Sequence, residues 1–108
     1  MLSAVASPPE AVVWDALRTV MDPEYALSLV DLGLIYEAQC HEGTAHVRMT
    51  FTSIGCPAID MMVDDVREAL HAVNDVQRVV VDVVWDPPWT KDRISARGRQ
   101  VLAAYGVT

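Results

Sequence analysis

Residues 34–52, LIYEAQCHEGTAHVRMTFT, decide the fold. Ala45, Val47, Met49 and Phe51 alternate with Thr44, His46, Arg48, Thr50 and Thr52. That period of two puts one face of a strand against a core and the other in water. Just upstream, Leu34, Tyr36, Ala38 and Cys40 alternate in the same way with Glu37, Gln39 and His41. Glu42-Gly43 between the two runs suits a tight turn, so the stretch predicts a half-buried antiparallel hairpin.

Helical periodicity flanks the hairpin. On the C-terminal side a helix is predicted from Pro57 to about Val73. Ile59, Met62, Val63, Val66, Ala69, Leu70 and Val73 form its apolar stripe, and Asp60, Asp64, Asp65, Arg67 and Glu68 its wet face. On the N-terminal side a helix starts near Pro8, with Ser7 and Glu10 at capping-box spacing. Val13, Leu17, Val20 and Met21 line one face, and Asp22-Pro23 ends it, because the residue before a proline is pushed out of the α region. A third strand over about residues 76–85 turns Val79, Val81, Val83 and Trp85 inward. Val80 and Val84 face the other way, as a candidate subunit contact or under a terminal segment. Trp85-Asp86-Pro87-Pro88-Trp89-Thr90 reads as a stiff loop. A last helix carries Ile94, Val101, Leu102 and Tyr105, with Gly106 as its cap. The order α-β-β-α-β-α predicts an α/β (α+β) two-layer sandwich, helices on one face of a three-stranded sheet. It spans residues 1–108 as a single domain with a core of about 10–105.

Composition narrows the function. A chain of 108 residues, 52% hydrophobic, has enough apolar material for one core. Its net charge of −7 repels nucleic acid and anionic membrane surfaces, and no basic stripe offsets this, so proteins or metal ions are the expected partners. No signal-peptide pattern and no apolar run of membrane-spanning length is visible. Two cysteines make no disulfide framework, and a reducing cytoplasm is the expected location.

The chemistry concentrates in Thr52-Ser53-Ile54-Gly55-Cys56-Pro57, between the second strand and the long helix. Pro57 suits the first helical position, which makes Cys56 the N-cap. There a sulfur meets unpaired backbone N–H groups and the positive end of the helix dipole, and both favour thiolate over thiol. Gly55 permits a sharp turn and leaves the sulfur uncrowded. Cysteine is a poor capping residue, so capping alone explains Cys56 badly. Cys40, on the inward strand face, reads as core. Asp22 and Glu24 either bring carboxylates near the thiolate or cap a turn, and Asp31 reads as a cap before Gly33. His41, His46 and His71 show no ligand spacing and read as solvated. Trp85 reads as core, whereas Trp89 either packs over the site or meets a partner. No Ser-His-Asp set, phosphate loop, Cys-x-x-Cys or His-x-x-x-His is present, which argues against most self-contained hydrolases and nucleotide enzymes.

Four segments together resemble the MIP18-type domain: Asp22-Pro23-Glu24, residues 30–36, residues 49–57 and residues 85–90. Members of that family include SufT-like proteins and the PaaD-like component associated with phenylacetyl-CoA oxygenase. The resemblance implies the fold of iron–sulfur assembly domains, a homodimer, and a role in maturing iron–sulfur proteins. It matches Cys56 to the family's characteristic cysteine, with Asp22, Glu24, Thr52, Ser53, Gly55 and Pro57 around it. Tyr25-Ala26-Leu27-Ser28 departs from the family's usual stretch, and the cysteine-rich extension of the phenylacetate-pathway branch does not follow here. The expected function is therefore accessory. Cys56 binds iron or a labile cluster transiently for transfer to client proteins. The alternatives are a client-docking adaptor that binds no metal and works through Trp89, Val80 and Val84, or a pathway-specific accessory protein of a phenylacetyl-CoA oxygenase-like complex. A thiol enzyme ranks last, lacking a base or a resolving cysteine.

Overall fold

The structure, a computed structural model, describes residues 8–23, 27–52, 58–104 and 106. Ser7 and Tyr105, expected at the two ends of the helical segments, lie outside these residues. The elements run α1 (Glu10–Leu17), β1 (Ile35–His41), β2 (Thr44–Met49), α2 (Ile59–His71), β3 (Arg78–Val83), a 3-10 turn (Lys91–Arg93) and α3 (Ala96–Ala104). The expected element order and three-stranded sheet are present. Glu42 and Gly43 both take positive φ, 49° and 80°, the conformation a two-residue hairpin turn requires.

The strand order is β1-β2-β3, with β1 antiparallel and β3 parallel to the central β2. A parallel neighbour needs a crossover connection, and α2 provides it. Ala45, Val47 and Met49 are buried as the alternation predicts. They meet Val13 and Leu17 of α1 and Met62, Val66 and Leu70 of α2, in one core that also takes in Leu27, Leu29, Leu32, Leu34 and Phe51.

Four expectations are corrected. First, β1 carries a bulge: Ile35 pairs with Met49, but Glu37 pairs with Arg48. The extra residue is Tyr36, so Ile35, not Tyr36, joins Ala38 and Cys40 on the inward face. Second, α1 stops at Leu17, before Asp22-Pro23. The Thr19 hydroxyl donates to the Ala16 carbonyl, and the chain then runs extended to bridge Met21 with Ser28. Val20 stays buried, but Met21 is exposed. Third, Trp85 is not core: it is 38% exposed, its ring tilted against Phe51 at 6.2 Å between centroids. Fourth, α3 does not lie on the sheet but docks on residues 28–33. Its cap Ser95 donates its backbone N–H to the Asp31 carbonyl at 2.8 Å and its hydroxyl to the Asp31 carboxylate at 2.9 Å. The same Ser95 oxygen accepts the N–H of Gly98, closing the first turn.

Candidate functional site

The central strand hands the chain to the cysteine segment from a fixed base. The Thr50 N–H donates to the Leu34 carbonyl at 2.8 Å, Phe51 is buried, and Thr52 is exposed. Ser53, Gly55, Cys56 and Pro57 lie outside the described residues, as does Glu24. Helical bonding is in place at Ala58, whose carbonyl accepts the Met62 N–H at 2.9 Å. The assigned α2 begins at Ile59, two residues beyond the predicted start, within the usual spread of helix boundaries. The stripe of α2 is as expected: Met62, Val66 and Leu70 are buried, and Asp60, Asp64 and Asp65 are exposed.

Thr50 was not singled out by the sequence. It is fully buried, yet its Oγ1 has no hydrogen-bond partner among the described residues. A strand alternation assigns this residue to the wet side, which gives no warning of a buried orphan hydroxyl.

Asp22 is half-buried in a loop closed at its neck by the Met21–Ser28 bridge, and its N–H donates to the Leu27 carbonyl at 2.9 Å. Asp31 serves as an anchor. It receives the Ser95 hydroxyl and, at 3.3 Å, that of Ser28, while Ser28 Oγ accepts the Asp31 N–H. Ser28 therefore makes the capping bond expected of Asp31.

Residues 87–98 form a strap across the segment 28–36. Trp89 is half-buried, its indole N–H donating to the Leu32 carbonyl at 2.7 Å. This ties the indole to its own chain. The Tyr36 hydroxyl donates to the Pro87 carbonyl at 2.7 Å, and the Arg93 guanidinium lies 4.2 Å above the Tyr36 ring centroid. Gly33 has φ +76°, and a Cβ there would collide with the backbone and Cβ of Arg93. Of the two outward valines, Val80 is 37% exposed and Val84 is half-buried. His41, His46 and His71 are exposed, and Cys40 is half-buried against the core. Among the described residues no group of three or more His, Cys, Asp or Glu is placed to hold a metal ion, and no helix is long and apolar enough to cross a membrane.

The described geometry is thus a buried strand end at Phe51, the first turn of an amphipathic helix at Ala58, and a C-terminal strap fastened to residues 31–36. A family model described as iron-sulfur cluster assembly protein matches residues 10–83, from α1 through β3. The chain belongs to that family. A relative from Bacillus subtilis, named Fe-S protein maturation auxiliary factor YitW, is 43% identical over 91 residues, which is 83% of this chain and 89% of that one. A relative from Escherichia coli, named as one of the subunits of 1,2-phenylacetyl-CoA epoxidase, is 33% identical over 99% of this chain and 65% of its own length. The crystal structure of a domain of unknown function from Bacillus anthracis superposes with a TM-score of 0.82 at 39% identity, covering 92% of each chain. The two-layer fold is thus that of the family, and the family match takes in the hairpin, the cysteine segment and α2 as one unit.

Proposed function

We propose that the chain is an accessory factor in iron–sulfur cluster assembly, taking up iron or a labile cluster as cargo on the Cys56 thiolate and passing it to a client protein. The observation that carries this reading is the unbroken family match over residues 10–83, which contains Cys56 between β2 and α2. The Bacillus subtilis relative is named for maturation of Fe–S proteins rather than for a reaction of its own, which supports an accessory role over a catalytic one. One thiolate supplies one of the four ligands of an ordinary cluster. The others come from a second copy, a small thiol or the client, so the cargo is held incompletely and can leave. Asp22, Glu24, Thr52, Ser53, Gly55 and Pro57 form the loops around the thiolate in this reading. The work is done in a reducing cytoplasm, where the thiol stays available.

Anaerobic reconstitution of wild type and Cys56→Ser, with iron and sulfide quantified after desalting, tests the assignment. Wild type retains both, and the variant loses most of both. Equal uptake by the two would remove Cys56 from the function.

A second reading is favoured by the Escherichia coli relative, whose similarity extends over 99% of this chain, the strap included. In it the client is a component of an oxygenase complex. Stable co-purification with that component, and none with other iron–sulfur proteins, would select the narrower role.

A further inference from the structure

The two helices that cover the sheet leave a groove along their outer seam. Val13 and Leu17 of α1 and Met62, Val66 and Leu70 of α2 enter the core. Val12, Ala16 and Met21 instead line the seam, with Ala69, Ala72 and Val73 across from them. One hollow of about 450 Å³ lies between residues 19–21 and the second half of α2. A second of about 570 Å³ lies between the start of α1 and residues 72–75. Ala72 lines both, so the hollows join end to end. Val12 is 40% exposed and Met21 49%, so the groove shows apolar surface to solvent.

Its rim is acidic. Asp65 and Glu68 border the first hollow, Asp15 and Asp75 the second, and among the described residues no lysine or arginine lines either. Arg18 offsets Asp15 at 2.8 Å, so Asp65, Glu68 and Asp75 set the sign of the groove. The C-terminal end of α2 lies in it as well and adds the negative pole of the helix dipole. Met61, Asp65, Glu68 and Ala72 stand at i, i+4, i+7 and i+11, one exposed stripe along α2. We propose that this groove docks an amphipathic helix of a partner protein. Its apolar stripe rests on Met21, Ala69 and Ala72, and its lysine or arginine side chains meet Asp65, Glu68 and Asp75.

Length, backbone chemistry and charge select this occupant. The stripe from Met61 to Ala72 spans about 17 Å, or about three helical turns. Alanines at its floor let a third helix axis approach to the usual 8–10 Å or so of packed helices. The seam of two helices offers side chains rather than backbone partners. A helix, whose backbone bonds are internal, fits that surface, and an extended peptide does not. Charge complementarity fixes the sign, because an acidic rim attracts a basic helix and repels an acidic one. It also disfavours a second copy of this chain, which carries a net charge of −7. The groove is built from α1, α2 and the residues that flank them, and does not depend on the cargo proposed above.

Fluorescence anisotropy of a labelled peptide titrated with the full chain tests the proposal. The probe is a capped synthetic peptide of about four helical turns, with leucine along one stripe and lysine beside it. A control peptide carries glutamate for lysine. The lysine peptide binds, gains helicity by circular dichroism and shifts the amide resonances of Val12, Ala69 and Ala72. The glutamate peptide binds about tenfold more weakly or worse. Asp65→Lys and Glu68→Lys each weaken the lysine peptide by about tenfold, whereas Asp82→Lys, the same charge change on exposed β3, does so by less than about twofold. Ala72→Gln fills the neck between the hollows without changing charge, and also weakens binding by about tenfold. Far-UV circular dichroism establishes that each variant is folded. Absent binding, equal binding of both peptides, equal loss in Asp82→Lys, or an unaffected Ala72→Gln would each overturn the proposal. So would resonances of Val12 and Ala72 that move with chain concentration alone, which assigns the groove to a second copy. Resonances that move on Leu2→Ser and Val5→Ser, with no peptide bound, would overturn it too and assign the groove to residues 1–7.

Discussion

Replacing Gly33 with alanine tests how the strap is held. At φ +76° an L-residue costs about 1–2 kcal/mol. The larger effect is crowding, because the new Cβ lands on the Arg93 backbone, which cannot swing aside like a flexible side chain. Arg93 must retreat, and it lies two residues before Ser95, whose N–H and hydroxyl bond to Asp31. Loss of those bonds adds about 1 kcal/mol for the neutral one and about 1.5–3 kcal/mol for the one to a carboxylate. The expected total is about 3.5–6 kcal/mol, a large share of the roughly 5–15 kcal/mol that holds an ordinary domain together. Urea denaturation followed by far-UV circular dichroism measures it, and the Trp89 indole N–H resonance reports whether the strap has left Leu32. Gly106→Ala is the control. Its φ of +79° is as strained, but a Cβ there meets nothing within 4 Å, so it loses only about 1–2 kcal/mol, the cost of the backbone conformation. If Gly33→Ala is no more destabilising than Gly106→Ala and leaves the indole resonance unmoved, crowding against Arg93 is not what fixes this glycine.

Further outcomes follow from the buried polar groups. Thr50→Val removes a hydroxyl that is buried without a partner among the described residues, and should raise stability by about 1 kcal/mol in the same denaturation assay. A loss of similar size would mean that this oxygen is bonded by residues 53–57. Trp89→Phe keeps an aromatic ring but strips the Leu32 carbonyl of its donor, and should cost about 1–3 kcal/mol. An unchanged denaturation midpoint and slope would show that water replaces the indole there.

The hairpin and α2 were legible because their periods are clean: Ala45, Val47 and Met49 on one, Met62, Val66 and Leu70 on the other. Periodicity does not carry pairing partners, so the parallel placement of β3 beside β2 was not. One inserted residue in β1 moved Tyr36 off the inward face, since a shift of one in a period of two reverses a side chain. Trp85 was misread, and Trp89 left open, for a different reason. Hydropathy favours burying both, but the position that finds a carbonyl for its indole N–H is the one held down, and that partner, Leu32, is 57 residues away. The same distance hid the Asp31–Ser95 clamp, 64 residues apart, behind what looked like a local cap. Of the candidate site, the cysteine and its position between a strand and a helix were visible from residue types alone. Its surroundings depend on loops that no period describes.

The strap begins where the family-model match ends: that match stops at residue 83, yet residues 87–95 grip positions 31–36 inside it. A relative built without this segment would present a bare Tyr36 ring, an open Leu32 carbonyl and a glycine with vacant space above it.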